Sequence, residues 1–435
     1  MSLYHVEPPA SNAPKTNQQF MSQSPPASAG TEGSPAAALP RHLILFIGAL
    51  VAIGPLSLDA YLPAMPAMAE AFGVGIVRLN NTISIYLVGY GLGQFFGGAF
   101  SDQIGRKRIG LIGLVIFAAA SVLIAMAASV EQVQWLRFVQ AIGGGFATVI
   151  CMAIVRDVYP VEELGKRMAM VTLIMLASPV IAPSIGALLL NLGWPSIFAF
   201  KALYACALAV YYWVFIPETQ PGAWSKLSVL TTLRQCVEVV TRKSETGQRP
   251  VFFALCMGLA ASVFMTFLTN SSFVYMEYFG VSESRFPIYF GVSILGLVAT
   301  NIYSMNRLTQ AKAPLFFALG LRIQLAAVVA LAMIVFFLPP SAWLVVAAVA
   351  VMVATFGLAG PAGSSQYMAH FHKLAGSASS FYTTLMFALG AIFGSISGYF
   401  FDGSLQPMVV TMLVASLASN LVFFGIRKPV AAARR

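Results

Sequence analysis

Charge is what this sequence has least of. Asp, Glu, Lys and Arg make up 9% of its 435 residues, where a soluble globular chain carries about 25%. Hydrophobic residues reach 58%, and the mean hydropathy is +0.81. That balance excludes a water-soluble domain and makes a bilayer the burial environment. Cysteine and histidine are scarce too, with four of each. Cys151, Cys206, Cys236 and Cys256 have no metal-site spacing and imply no disulfide framework. His5, His42, His370 and His372 fall in tails or at helix ends and are read as solvated or interfacial. No metal or other cofactor is expected. The pattern Gly-x-x-x-x-Gly-Lys-Ser/Thr does not occur, so drive by ATP is not expected either.

What is there is apolar length. Twelve runs follow one another, near 43–65, 79–100, 109–128, 132–155, 168–190, 196–216, 250–275, 285–306, 314–337, 342–366, 375–400 and 407–426. Each approaches the ~20 residues that cross ~30 Å of hydrocarbon as a helix. The expected architecture is an all-α membrane protein with twelve transmembrane helices in two six-helix bundles, 43–216 and 250–426. The polar stretch 217–249 is read as a cytoplasmic linker between them. Residues 1–42, rich in Pro, Ala, Ser and Gln, cannot bury enough surface to fold and are read as a disordered tail. Residues 427–435 form a short basic tail.

The net charge of +10 could suggest nucleic acid as a partner, but its distribution argues against that. Most Lys and Arg fall in the loops after spans 2, 4, 6, 8 and 10 and in the C-terminal tail. That one-sided placement is an orientation signal, putting those loops and both termini in the cytoplasm. The expected location is the inner membrane of a bacterium, with anionic lipid headgroups facing the cations. The chain is expected to act as a monomer.

Ionisable residues inside hydrocarbon are costly and mark pathways. Among acids only Asp59 lies deep, ~24 Å along span 1 at 1.5 Å per residue. Among bases, Arg137 lies ~12 Å into span 4. The two are expected to meet if spans 1 and 4 face one cavity. Lys201 and Arg322 lie within two or three turns of a membrane face, near enough to snorkel. Desolvation favours the protonated form of a lone carboxylate and a nearby cation favours the charged form, so Asp59 and Arg137 suit proton coupling. An enzyme would need a second reactive group beside Asp59, and only Arg137 is apparent, which suits ion coupling better than hydrolysis.

The helices carry further signals. Pro55, Pro63 and Pro66 interrupt span 1. Gly89, Gly93 and Gly97 form a small-residue stripe on span 2 for close helix contact. Tyr86, Tyr90 and Gln94 occupy another face of that span, and Gln140 shares a face with Arg137. Pro179, Pro183 and Gly186 give span 5 a kinked, small-faced segment suited to a hinge.

The loop from Gly97 to Arg108 joins spans 2 and 3 in a tight hairpin with three consecutive cations, Arg106, Lys107 and Arg108. Its pattern, Gly98-x-x-x-Asp102-x-x-Gly105-Arg106-Lys107-Arg108, resembles the loop between helices 2 and 3 of the major facilitator superfamily. Leu58 to Pro66, Val155 to Tyr159, Ser272 to Tyr275 and Ala375 to Ser379 are similar to the bacterial Bcr/CflA branch, the bicyclomycin and chloramphenicol resistance exporters. The chain departs from that pattern at Gln103, where Arg is frequent, and at Ala182-Pro183, where a Gly-Pro pair is usual.

The resemblance implies export of amphipathic small molecules by proton antiport and alternating access. By position, Asp59 would hold the proton with Arg137 as its charge partner. Tyr61, Tyr86, Tyr90, Gln94, Gln140, Asn270 and Tyr275 would line the substrate cavity. Gly98, Asp102, Gly105, Arg106 and Asp157 would form a conformational latch. The same machinery could serve one dedicated metabolite, such as a siderophore or amino-acid derivative, or a proton-coupled importer.

Overall fold

The computed structural model describes residues 42–220, 229–243, 249–339, 341–371 and 375–432. The expected N-terminal tail therefore falls, His42 apart, outside the described residues, as do parts of the linker. Every regular element among the described residues is helical, and twelve of the helices are long and apolar enough to cross a membrane.

Span 1 covers Leu43–Phe72, further than its apolar run suggests. It is built in three pieces: an α-helix Leu43–Asp59, one 3₁₀ turn Leu62–Ala64, and a second α-helix Met65–Phe72. Gly73, at φ +63°, ends it in the left-handed region that glycine enters freely. Spans 2 to 6 are Ile76–Ile104, Arg106–Ala125, Val130–Val158, Val161–Leu190 and Pro195–Phe215. Span 7 is Val251–Ser272, continued as a π-helical turn Phe273–Tyr278. Spans 8 to 12 are Phe286–Arg307, Ala313–Phe337, Ala342–Met368, Ala375–Tyr399 and Gln406–Ala432. The linker also contains a helix, Val229–Thr241.

Several starts follow local chemistry. Spans 6, 8 and 9 open with proline at the first or second helical position, where its missing donor costs nothing. Span 4 opens on Ser129, whose hydroxyl accepts from the Gln132 amide at 3.3 Å.

The pairings repeat with a shift of six. Spans 1·5, 2·4, 3·4 and 3·6 pack together, and so do 7·11, 8·10, 9·10 and 9·12. The two halves meet along spans 2·11 and 5·8, again related by six. This is the pseudo-symmetric arrangement of two six-helix bundles.

Glycine sets how closely they approach. A Cβ on Gly89 would lie 2.6 Å from the Phe138 carbonyl, and one on Gly145 2.6 Å from the Tyr90 carbonyl. The stripe on span 2 and the glycines of span 4 thus press backbone against backbone.

Candidate functional site

The site begins at the break in span 1. Its first helix ends at Asp59, and the chain tightens there: the Tyr61 amide bonds to Leu58 O at 3.3 Å rather than to Ser57 O. Helix ends leave carbonyls without a backbone partner. The Ser57 carbonyl is filled by two cations instead. Lys201 Nζ donates to it at 2.9 Å and Arg137 Nη1 at 3.2 Å. Cations at a helix C-terminus also complement its dipole.

Both cations are fully enclosed. Arg137 has no exposed surface and Lys201 1%. The Arg137 guanidinium stacks 4.2 Å from the Tyr86 ring centre and 4.9 Å from that of Tyr61. Lys201 sits 4.6 Å from Phe198 and 5.7 Å from Tyr61. Ring faces attract cations, more so out of water. Arg137 Nη1 also donates to Ser57 Oγ at 3.0 Å and Gln140 Oε1 at 2.8 Å. Gln140 Nε2 passes the chain on to Ser121 Oγ at 2.6 Å. The Tyr61 hydroxyl meets Thr82 Oγ1 at 3.0 Å, while Thr82 donates to the Leu79 carbonyl.

Asp59 is buried beside this cluster, 3% exposed. The expected Asp59–Arg137 ion pair is not formed: no cation lies within 4.0 Å of Asp59 among the described residues. The Arg137 guanidinium is held by Ser57 and Gln140. Lys201, bound to the carbonyl two residues before Asp59, is a second cation close to it. Lys201 does not snorkel; the packing of span 6 turns it inward. Arg322, by contrast, is exposed on the surface of span 9.

At the other end of span 2 the loop builds an ion network. Arg106, 4% exposed, pairs with Asp102 at 2.5 Å and Asp157 at 3.3 Å. Its Nη1 donates to Ser101 Oγ at 2.6 Å. Gly105 takes φ +105°, a conformation strained for other residues. Glu218, just past span 6, accepts from the amides of Arg106 at 2.8 Å and Lys107 at 3.1 Å, which caps span 3. Sequence reading missed Glu218, because the bond joins residues more than a hundred positions apart. Gly98 lies against span 11, where an added Cβ would fall 2.8 Å from Ser380 Oγ. Asp102 lies beside Gly376 at the start of span 11.

The family model described as Major Facilitator Superfamily matches residues 45–395. The chain belongs to the major facilitator superfamily. It is 26% identical over 394 residues to a bicyclomycin resistance protein homolog of Haemophilus influenzae, covering 88% of this chain and 95% of that one. It is 28% identical over 400 residues to a chloramphenicol resistance protein of Pseudomonas aeruginosa, covering 88% and 86%. These relatives agree with the branch that its loop and span motifs resemble. Among solved structures, a peptide transporter POT in complex with sulfate superposes with a TM-score of 0.72 at 12% identity, covering 91% of this chain and 98% of that one. At that identity the match speaks for the fold alone. The chain is thus a multi-pass membrane transporter and not an enzyme.

In this major facilitator most of the residues expected to line a substrate cavity are packed inside the protein. Tyr61, Tyr86, Gln140 and Tyr275 have no exposed surface, Asn270 and Tyr90 are buried, and Gln94 is half-buried. A side chain without accessible surface faces no water-sized space. The reason is mutual packing. Tyr86 and Tyr90 stack at 5.9 Å, Tyr90 meets Phe387 of span 11 edge-on, and the Tyr275 hydroxyl bonds to Ser293 Oγ at 2.8 Å. Asn270 donates to Ser397 Oγ at 3.2 Å.

A cavity of about 510 Å³ lies at the loop end, lined by Gly98, Asp102, Arg106 and Arg156 on one half and Ser377 and Ser380 on the other. At the opposite end Ser272 Oγ donates to Leu62 O at 2.5 Å, joining spans 7 and 1. Span 5 runs through Pro179 and Pro183 as one continuous helix. Gly186 is a point of close approach, pressed against Ala60 and Pro63 at the break in span 1.

Proposed function

We propose that this chain exports amphipathic small molecules across the bacterial inner membrane in exchange for protons. Both termini and the linker are cytoplasmic in this reading, and the halves rock to expose the site to either side in turn. Asp59 carries the exchanged proton. Lys201 is its counter-charge, and Arg137 holds the end of the span 1 helix in place.

The observation that carries this reading is the enclosure of Asp59 at the break in span 1, beside two buried cations that share the Ser57 carbonyl. A carboxyl in such a place gains charge when water or a cation reaches it and loses charge when enclosed. Opening the halves changes both influences together. The 510 Å³ cavity at the loop end gives substrate an approach from the cytoplasm, and the Ser272–Leu62 bond joins spans 7 and 1 at the opposite end. The names of the bicyclomycin and chloramphenicol resistance relatives support drug-like cargo.

Everted vesicles with an acidified lumen and a pH-sensitive dye test the proposal. Addition of a transported compound is expected to discharge the gradient, and Asp59→Asn is expected to abolish that discharge while retaining binding. Undiminished discharge by Asp59→Asn would remove Asp59 from the cycle.

A further inference from the structure

The linker helix Val229–Thr241 has 13 residues, or about 20 Å, too short to cross a bilayer. Its apolar side chains nevertheless face two ways. Val239 is completely buried and packs with Phe253, Phe317 and Phe371 at the loop end of the second bundle. Leu230, Leu233, Val237 and Val240 are 77%, 46%, 61% and 36% exposed. At about 100° per residue these positions belong to one apolar arc, running from Val239 through Cys236 and Val240 to Leu233, Val237 and Leu230. One edge of that arc is seated on protein and the other is bare.

The remaining side of the helix is polar, with Arg234 and Glu238 on it, and two more cations, Arg242 and Lys243, follow directly after its end at Thr241. Arg234 and Lys243 are exposed, Arg242 is half-buried over the Phe371 ring at 5.6 Å, and Glu238 is the acid among them. Gln235 accepts from Ser377 at the start of span 11 at 2.8 Å. The helix therefore sits level with the loop ends of the membrane-crossing helices, where hydrocarbon gives way to headgroups. A second copy meeting it through the bare stripe would bring the two sets of arginines together. A leaflet with anionic headgroups accepts both the stripe and the cations.

We propose that the linker helix is a lipid-binding element. Leu230, Leu233, Val237 and Val240 lie among the acyl chains at the edge of the leaflet, and Arg234, Arg242 and Lys243 take anionic headgroups. Thr232 and Gln235 line the 510 Å³ cavity from the same helix, so lipid composition bears on the mouth of that cavity. This inference does not depend on Asp59 or on proton exchange.

The test uses the whole protein in lipid nanodiscs, with tryptophan placed on the bare stripe (Val237→Trp, and Val240→Trp as a second variant) or on the polar side (Glu238→Trp). Fluorescence in excess of the wild type is read with brominated lipid and with aqueous iodide as quenchers. Tryptophan on the stripe is expected to be quenched by brominated lipid about two-fold more than tryptophan at 238, with iodide giving the reverse order. The lipid quenching is expected to grow when phosphatidylglycerol replaces phosphatidylcholine, and to lose that increment when Arg234, Arg242 and Lys243 are changed to Gln. Iodide quenching of the stripe equal to that at 238 would overturn the proposal. So would protection of the stripe from both quenchers, the signature of a protein partner or a second copy.

Discussion

The Lys201 ammonium nitrogen lies 2.9 Å from the carbonyl oxygen of Ser57, in the last helical turn before the break that follows Asp59. Span 6 thereby delivers a cation to the end of the first helix of span 1, and with it to the one fully enclosed carboxylate among the described residues. Arg137 reaches the same oxygen from span 4. Three spans meet at one backbone atom, so a change of charge on Asp59 is felt by all of them.

A double-mutant cycle on Lys201 and Asp59 follows from that arrangement. Lys201→Met leaves Asp59 without its nearby cation, and Asp59→Asn leaves two buried cations without the carboxylate. Each single change is expected to destabilise by about 0.5–3 kcal/mol, and the double variant by less than their sum, with a coupling of about 0.5–3 kcal/mol. Reversible unfolding of the purified protein in nanodiscs measures it. Strict additivity would mean that the two side chains do not interact.

Much of this was legible in the sequence. Twelve runs of the right length gave twelve spans, and the glycines at 89, 93 and 97 marked the contact with span 4, because run length and residue size are local properties. The loop motif held Asp102 and Arg106, and the family resemblance added Asp157 from the end of span 4; the three meet at the Arg106 guanidinium. Lys201 was not legible. Six residues into a span, a lysine can snorkel or turn inward, and only the packing of span 6 against the break in span 1 decides which. Tyr61, Tyr86 and Tyr275 were read as cavity-lining because tyrosine suits such walls. The Tyr61 and Tyr275 hydroxyls instead bond to Thr82 and Ser293 inside the bundles, and the Tyr86 ring is packed between Arg137 and Tyr90. Glu218 and the linker helix were missed for a related reason: the first acts through a distant contact, and the second is a short helix inside a stretch read only as polar.

Gly145→Ala tests the contact between spans 2 and 4. A Cβ there would lie 2.6 Å from the Tyr90 carbonyl and 2.7 Å from the Gln94 amide, and backbone atoms yield little. The variant is expected to lose about 1–3 kcal/mol, as over-packing usually costs. Gly425→Ala in span 12 is the control: nothing lies within 4 Å of its Cβ position, so it is expected to be neutral or to stabilise by up to about 1 kcal/mol. Thermal unfolding of both variants checks the contrast.

Glu218→Ala removes the carboxylate that accepts from the amides of Arg106 and Lys107. Caps of this kind contribute about 1 kcal/mol, so hydrogen exchange at those two amides is expected to quicken about five-fold. Exchange in the middle of span 3 is expected to stay unchanged. Equal acceleration along the whole span would point to global loosening rather than loss of a cap.

His370 supplies a pH test outside the membrane. It follows span 10, and partial burial together with the Arg242 charge pulls its imidazole below the usual histidine range. The unfolded chain takes up that proton near pH 6.5, the ordinary histidine value; the folded chain takes it up only at lower pH. Between those two points the unfolded state binds more protons, so stability falls as pH falls. The contribution is complete above about pH 6.5 and is lost on acidification through the depressed value. Because the ring is half-exposed, solvent screening limits it to a few tenths of a kcal/mol, on the order of a surface ion pair. His370→Gln is therefore expected to lose slightly less thermal stability than the wild type between pH 8 and pH 5, by about 1 °C. Arg242→Gln is expected to narrow the same gap, since it removes the charge that disfavours protonation. An unchanged pH dependence in both variants would show that the His370–Arg242 proximity carries no linkage.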